Sequence, residues 1–208
     1  FRRVLFRSKL DLPAGSTISV HNAILGIVTR SANDAAVVIA ENLAGSESAF
    51  AARMTASAHA IGMAHTTFRN ASGLPNPLQS TTARDLALLG RALQDRFPKY
   101  FHYFSTRSFA WQGELIPNHN GLLGHVEGVD GIKTGYTRAS GFNLVSSIHS
   151  EGRSLVAVVM GGATAGSRDR EMEGLLDRYL PQAYAGPRTA PLRSEEHTSE
   201  LQSRETIS

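Results

Sequence analysis

Apolar residues recur at intervals of three and four through the first half of this chain and alternate with polar ones through much of the second. That change of period marks helices giving way to strands. Thr17 to Val20 predicts a short strand, and Ile24, Leu25, Ile27 and Val28 predict a helical stripe over 21–29. A second run starts at Ser31 and carries Ala35, Ala36, Val38, Ile39 and Leu43, with Gly45 placed as a stop signal. Phe50, Met54, Ala58 and Ile61 predict a helix over 46–63, and Leu86, Leu89 and Leu93 another over 82–97, ended by Pro98. Beyond it, 108–116 reads as a hairpin broken at Gln112-Gly113, and 129–137, 142–149 and 154–160 read as strands. Residues 150–153 form the turn between the last two. Met172, Leu175, Leu176 and Tyr179 share one face of a helix over 168–180, and Pro181, Pro187 and Pro191 mark a linker. Helices first and an antiparallel sheet later predict an α+β fold.

The two ends change this picture. Phe1 to Ser8 can be encoded by TTC AGA CGT GTG CTC TTC CGA TCT, whose reverse complement encodes Arg193 to Glu200. The string resembles a common sequencing-library adapter, and no physical constraint makes two natural termini antisense to each other. Residues 1–8 and 193–208 are therefore expected to be translated adapter and are set aside like any fusion scar. That leaves 9–180 as one domain, expected to lack its N-terminal part, and 181–192 as linker. The formal charge is +3; three arginines at one end, and two arginines against four glutamates at the other, leave +2 for the interior. The basic balance thus carries no argument for nucleic acid, and no basic run or zinc-finger spacing adds one. Cysteine is absent, which excludes disulfides and thiolate chemistry and is compatible with the periplasm. No apolar run reaches membrane-spanning length.

Candidate chemistry concentrates at two short strings, Ser31-Ala32-Asn33 and Lys133-Thr134-Gly135. Taken alone, Ser31 followed by Asp34 is an N-cap signature before an apolar helix. The alternative use of the same positions puts a hydroxyl and a carboxamide at a helix entrance facing a cleft. Ser31 would then pass a proton between nucleophile and leaving amine, and Asn33 would hydrogen-bond a substrate carbonyl. Lys133-Thr134-Gly135 alone reads as a strand running into a turn. As an exposed edge strand it would pair with an extended peptide, with Gly135 permitting close approach. Lys133 and Thr134 suit a terminal carboxylate.

Together the two strings match the second and third motifs of a penicillin-sensitive serine acyl-transfer site, whose first motif, S-x-x-K, carries the nucleophile. The three lysines are Lys9, Lys99 and Lys133, preceded three positions earlier by Phe6, Arg96 and Asp130, so S-x-x-K is missing from these 208 residues. With the stretches 28–36, Arg69-Asn70-Ala71-Ser72-Gly73-Leu74-Pro75, Asn118-His119-Asn120-Gly121-Leu122-Leu123 and 129–137, the segment from Lys9 to about Tyr179 resembles the penicillin-binding domain of low-molecular-mass D-alanyl-D-alanine carboxypeptidases.

The resemblance implies a β-lactamase-like fold with a site between sheet and helices. It implies catalytic roles for Ser31, Asn33 and Lys133, and substrate binding by Lys133, Thr134, Gly135 and Arg168. Arg168 follows Gly161-Gly162 where the family places a carboxylate-binding arginine; otherwise it is a solvated residue of a first helical turn. Tyr136 stands where relatives often have histidine. His119 is expected to be structural, in a turn held by Asn118 and Asn120. The implied partners are peptidoglycan stem peptides and, as acylating inhibitors, β-lactam antibiotics. Neither nucleic acid, cofactor nor metal is implied, and no H-E-x-x-H spacing occurs. A periplasmic location is implied, with any membrane anchor in a segment beyond this one. Two other readings stay open. One is a class A β-lactamase, for which Glu114 and Asn118 offer a superficial match; the other is a non-catalytic module that grips peptidoglycan.

Overall fold

The computed structural model describes residues 8–186; nearly all of the two adapter-like stretches, together with Pro187 and Pro191, lies outside them. Helix α1 (Val20–Arg30) starts where the Ser19 hydroxyl accepts the Asn22 N–H at 3.2 Å. This cap replaces the strand predicted over 17–20: a serine satisfying an orphan helix donor outweighs the β-branched Thr17, Ile18 and Val20, which find no strand to pair with. Helices α2 (Asn33–Ala44), α3 (Glu47–Ala60) and α4 (Ala83–Arg96) follow. Gly45 ends α2 in the left-handed region (φ 76°), Ser46 caps α3 and Thr82 caps α4. Pro98 does more than stop α4. It opens the short α5 (Pro98–Phe101), a position where its missing N–H costs nothing.

Strands β1 (Ser108–Trp111) and β2 (Glu114–Pro117) form the hairpin. Strands β3 (Val129–Thr137), β4 (Gly141–Ser150) and β5 (Arg153–Gly162) form an antiparallel sheet in that order, so β3 is an edge. Helix α6 (Ala165–Tyr179) opens on a capping box made by Thr164 and Ser167. Residues Leu180–Gln182, at the start of the stretch read as linker, make a 3-10 turn, and Ala185 bridges Arg153.

Alternation along β4 sends its side chains to two layers. Leu144 and Ile148 join Leu122, Val159, Met172 and Leu176 in a buried cluster under α6. On the opposite face Val145, with Ile132 and Val156, packs against α4 at Gly90, where an added Cβ would come within 2.9 Å of Ile132 and Val156. The sheet is therefore held between α4 and α6. A second cluster, Leu10, Ala23, Ala32, Ala35, Phe109 and Ile116, joins α1, α2 and the hairpin. In the connection to α4, buried Asp85 accepts the Thr66 hydroxyl at 2.7 Å and the His65 N–H at 2.9 Å. The Thr66 bond holds its carboxyl below the usual range, against the burial that pulls it up.

Asp34, the second residue of α2, fixes the start of the described chain. Its carboxylate accepts the Leu10 N–H at 3.0 and 3.1 Å, the Leu12 N–H at 3.2 Å and the Ala35 N–H at 2.9 Å. Asp34→Ala strands these donors and loosens Leu10 from its cluster. The expected loss is about 1–3 kcal/mol in urea unfolding, since unpaired buried donors carry their full desolvation cost.

Candidate active site

The site is built where the C-terminus of α1 meets edge strand β3. Ser31 is not the N-cap of α2 that its spacing to Asp34 suggested; that position belongs to buried Ala32, which offers no side-chain cap, while Asp34 points to Leu10 and Leu12. Ser31 instead terminates α1 in the left-handed conformation (φ 57°, ψ 43°). Its N–H reaches Ile27 O at 3.1 Å and the Ala32 N–H reaches Gly26 O at 3.1 Å, closing the helix in the way a glycine usually does. A β-carbon in this region costs about 1–2 kcal/mol. Local stability therefore argues against serine here, and the reason for it lies in its side chain.

The Ser31 hydroxyl accepts a hydrogen bond from Lys133 Nζ at 2.5 Å, across 102 positions of sequence. Lys133 also donates to Thr134 O at 3.0 Å. Strand β3 carries Lys133 because it pairs with Val145 on β4, while the other edge of β3 is unpaired among the described residues. Two positions on, Gly135 faces open space, with nothing within 4 Å of where a Cβ would sit. Asn33 opens α2 two positions from Ser31, and its carboxamide has no hydrogen-bond partner among the described residues. Its backbone N–H donates to Ser8 O at 3.0 Å.

Charge around Lys133 is one-sided. No carboxylate pairs with it among the described residues, and Arg168 lies close enough to repel it. Burial first, then Arg168, lowers its pKa to about 8. His119 is lowered too, first by burial and then by Lys133, Arg30 and Arg168. His119, Lys133, Arg30 and Arg168 thus lie within electrostatic reach of one another, an excess of positive charge that favours an anionic ligand even with Asp169 paired to Arg168. The sign of the linkage for Lys133 follows from a folded pKa below the unfolded 10.5. Between about 8 and 10.5 the unfolded chain holds the extra proton, so this residue opposes folding below about pH 8 and stops doing so as the pH rises toward 10.5. Lys133→Met should therefore gain stability on the parent, by on the order of 3 kcal/mol below pH 8, with the gap closing toward pH 10.5. Urea unfolding at a series of pH values checks this.

Arg168 is not the solvated first-turn residue that one reading allowed; it is 4% exposed. Its guanidinium donates to Asp169 Oδ1 at 2.9 and 2.7 Å and to Asn143 O at 3.3 Å. It stands against Gly162, whose missing side chain leaves room for it, since an added Cβ would lie 2.9 Å from Arg168 Cβ. The Asn118–Asn120 turn is held as expected: Asn118 Oδ1 accepts the Asn120 N–H at 2.8 Å and Asn120 Nδ2 donates to Gly131 O at 3.2 Å. His119 takes part through its backbone, donating to Thr29 O at 3.3 Å, while its ring makes no hydrogen bond among the described residues. Tyr136 is exposed and packs on Phe142, ring centroids 4.4 Å apart. Glu114 is an exposed residue of the hairpin, opposite Trp111.

Asn143 was not singled out by the sequence, although a carboxamide inside an apolar strand pattern is the signal that could have done so. Its Nδ2 donates to Ser140 Oγ (2.9 Å), Gly141 O (3.0 Å) and Gly135 O (3.4 Å), and its Oδ1 accepts the Gly161 N–H at 3.0 Å. With its backbone on Arg168, this one residue ties together the end of β3, the β3–β4 turn, β5 and α6. The Arg168–Asp169 pairing had no sequence signal, because adjacent helical residues do not ordinarily face each other.

Comparison with known proteins bears on this geometry. Residues 5–164 match the family described as D-alanyl-D-alanine carboxypeptidase. The chain is 38% identical over 170 residues to D-alanyl-D-alanine carboxypeptidase DacD of Escherichia coli K12, covering 81% of this chain and 44% of that protein. Penicillin binding protein 5 from Haemophilus influenzae superposes with a TM-score of 0.80 at 34% identity, over 84% of this chain and 51% of that one. Penicillin-binding protein D2 from Listeria monocytogenes, solved in an ampicillin-bound form, does so at 0.71 and 32%, over 77% and 66%. The chain spans about half the length of the curated relatives it matches.

Proposed function

Given that this chain belongs to the D-alanyl-D-alanine carboxypeptidase family, we propose that the protein containing it removes the terminal D-alanine of peptidoglycan stem peptides through an acyl-enzyme. The observation that carries this is the Ser31–Lys133 hydrogen bond, which brings the two motifs into contact. The attacking serine and its partner lysine come from an S-x-x-K upstream of these residues. That serine attacks the carbonyl between the two D-alanines, its lysine acting as base. Ser31 delivers a proton to the departing D-alanine nitrogen, and Lys133, bonded to it, replenishes that proton. The Asn33 carboxamide, without a hydrogen-bond partner among the described residues, binds a backbone carbonyl of the substrate.

The peptide lies along the open edge of β3 as an added strand, passing over Gly135. Its terminal carboxylate is received by Lys133, Thr134 and, from beneath, Arg168. A carboxylate also offsets the charge at Lys133, which has no carboxylate partner among the described residues, and this favours chains that end there. β-Lactams acylate the same upstream serine, in keeping with the ampicillin-bound relative. Trimming cell-wall peptides suits a periplasmic protein, and any membrane anchor would belong to a segment outside these residues; among the described residues no helix is long and apolar enough to cross a membrane.

The test uses the full-length protein carrying S-x-x-K, a D-Ala-D-Ala peptide and a chromogenic cephalosporin. Release of D-alanine with a long-lived cephalosporin adduct is the expected result. Rapid cephalosporin turnover without D-alanine release would instead indicate a β-lactamase, and neither activity a binding module. The 208-residue chain should release no D-alanine, since loss of the serine nucleophile in subtilisin, another serine hydrolase, costs on the order of 10⁶ in kcat.

A further inference from the structure

Ser31 and Lys133 hold a relation that does not depend on any upstream serine. A lysine nitrogen bonded to a serine hydroxyl, with no carboxylate on the lysine, is the arrangement of a Ser/Lys nucleophile–base pair. The hydroxyl sits at a helix end whose left-handed backbone lets it project from the turn, and the residue is only half-buried. We propose that in this chain Ser31 is itself an acyl acceptor for activated aryl esters, with Lys133 as its general base.

The step balances without a co-reactant. Unprotonated Lys133 Nζ takes the hydroxyl proton as Ser31 Oγ bonds to the ester carbonyl carbon. The bond from that carbon to the aryl oxygen breaks, and its electron pair leaves with the phenolate. The products are a serine ester, a phenolate and a lysine ammonium that returns its proton to water. An activated aryl ester reacts far faster than a D-Ala-D-Ala amide, because an amine must receive a proton before it leaves. A phenolate leaves unaided. The unprotonated form of Lys133 is accessible near neutrality because burial and Arg168 lower its pKa to about 8. The Asn33 carboxamide, two positions from Ser31 and without a partner among the described residues, is a side-chain donor available to the developing oxyanion.

One other serine hydroxyl among the described residues is bonded to a basic side-chain nitrogen: Ser154, 2.9 Å from His149 Nδ1 on the exposed β4–β5 pair. It provides an internal control.

The 208-residue chain is incubated with p-nitrophenyl acetate from about pH 6 to 10, phenolate release is followed, and the acetylated peptide is mapped. The expected result is one acetyl group, removable by hydroxylamine, on the peptide bearing Ser31, forming at a rate that climbs with pH through about 8. Ser31→Ala should abolish it and Ser154→Ala leave it unchanged. Lys133→Met should slow it about 100-fold or more. Lys133→Arg, which keeps the charge and a donor but cannot give up its proton, should slow it as much, separating base catalysis from a structural role. A hydroxylamine-stable amide on Lys133, an adduct on Ser154, labelling spread over several residues or a rate flat between pH 7 and 9 would each overturn the proposal. Because the carboxypeptidase reading runs through a different nucleophile, any of those results would leave it standing.

Discussion

Ser31→Ala is expected to lower kcat/KM of the full-length enzyme for a D-Ala-D-Ala peptide by roughly 10²–10⁴, the range a positioned proton donor contributes. Most of that loss falls in kcat, because the hydroxyl acts on the leaving nitrogen in the transition state and holds little of the ground-state substrate. An ester analogue of the same peptide loses less, since an alkoxide leaves with less help than an amine. The backbone gives a second, opposite expectation. Ser31 occupies a left-handed position at φ 57°, where glycine has no side chain to strain. Ser31→Gly should therefore match the alanine variant in lost activity while unfolding at a higher urea concentration than it. Steady-state kinetics on the peptide and its ester, beside urea titrations of both variants, check the two effects together. A serine kept against its own backbone preference has a functional explanation only if both appear.

The largest stability effect is expected at Leu144. This side chain is fully buried on the central strand β4, among Leu122, Ile148, Val159, Met172 and Leu176. Leu144→Ala removes the apolar contact of the sheet with α6 at its middle and leaves a cavity that a strand paired on both sides has little freedom to close. The expected cost is about 2–5 kcal/mol, or roughly 5–15 °C in melting temperature for a domain this size. Leu115→Ala, on the exposed face of the hairpin at 71% exposure, should stay within about 0.5 kcal/mol. Thermal unfolding of the two variants gives the contrast. Because Leu144 follows Asn143, the loss should also loosen the contacts that hold Arg168 and the end of β3.

Much of this fold was legible where period and caps agreed. Leu86, Leu89 and Leu93 with Thr82 ahead of them marked α4 to within a residue, and Gln112-Gly113 marked the hairpin turn. The failures came where one residue type serves two roles. Ser19 and Ser31 both precede apolar runs; the first caps a helix and the second ends one, and only tertiary contact decides which. Lys133 and Ser31 could be suspected from their motifs, but the 2.5 Å separation depends on where the tertiary fold sets the residue that ends α1 against β3. The depressed Lys133 pKa was invisible in sequence, because burial and Arg168, 35 positions on, act only in space. Arg168 was legible as a candidate and illegible as a buried ion pair, since Asp169 gave no helical-spacing signal.

A double-mutant cycle in the full-length enzyme bears most directly on the joint action of positions 31 and 133. kcat/KM for the D-Ala-D-Ala peptide is measured in the parent, Ser31→Ala, Lys133→Met and the double variant. Two groups handling one proton act as a unit, so the double variant should lose little more than the worse single one. Losses that multiply, each substitution exacting its full effect in the absence of the other, would contradict a shared cleft.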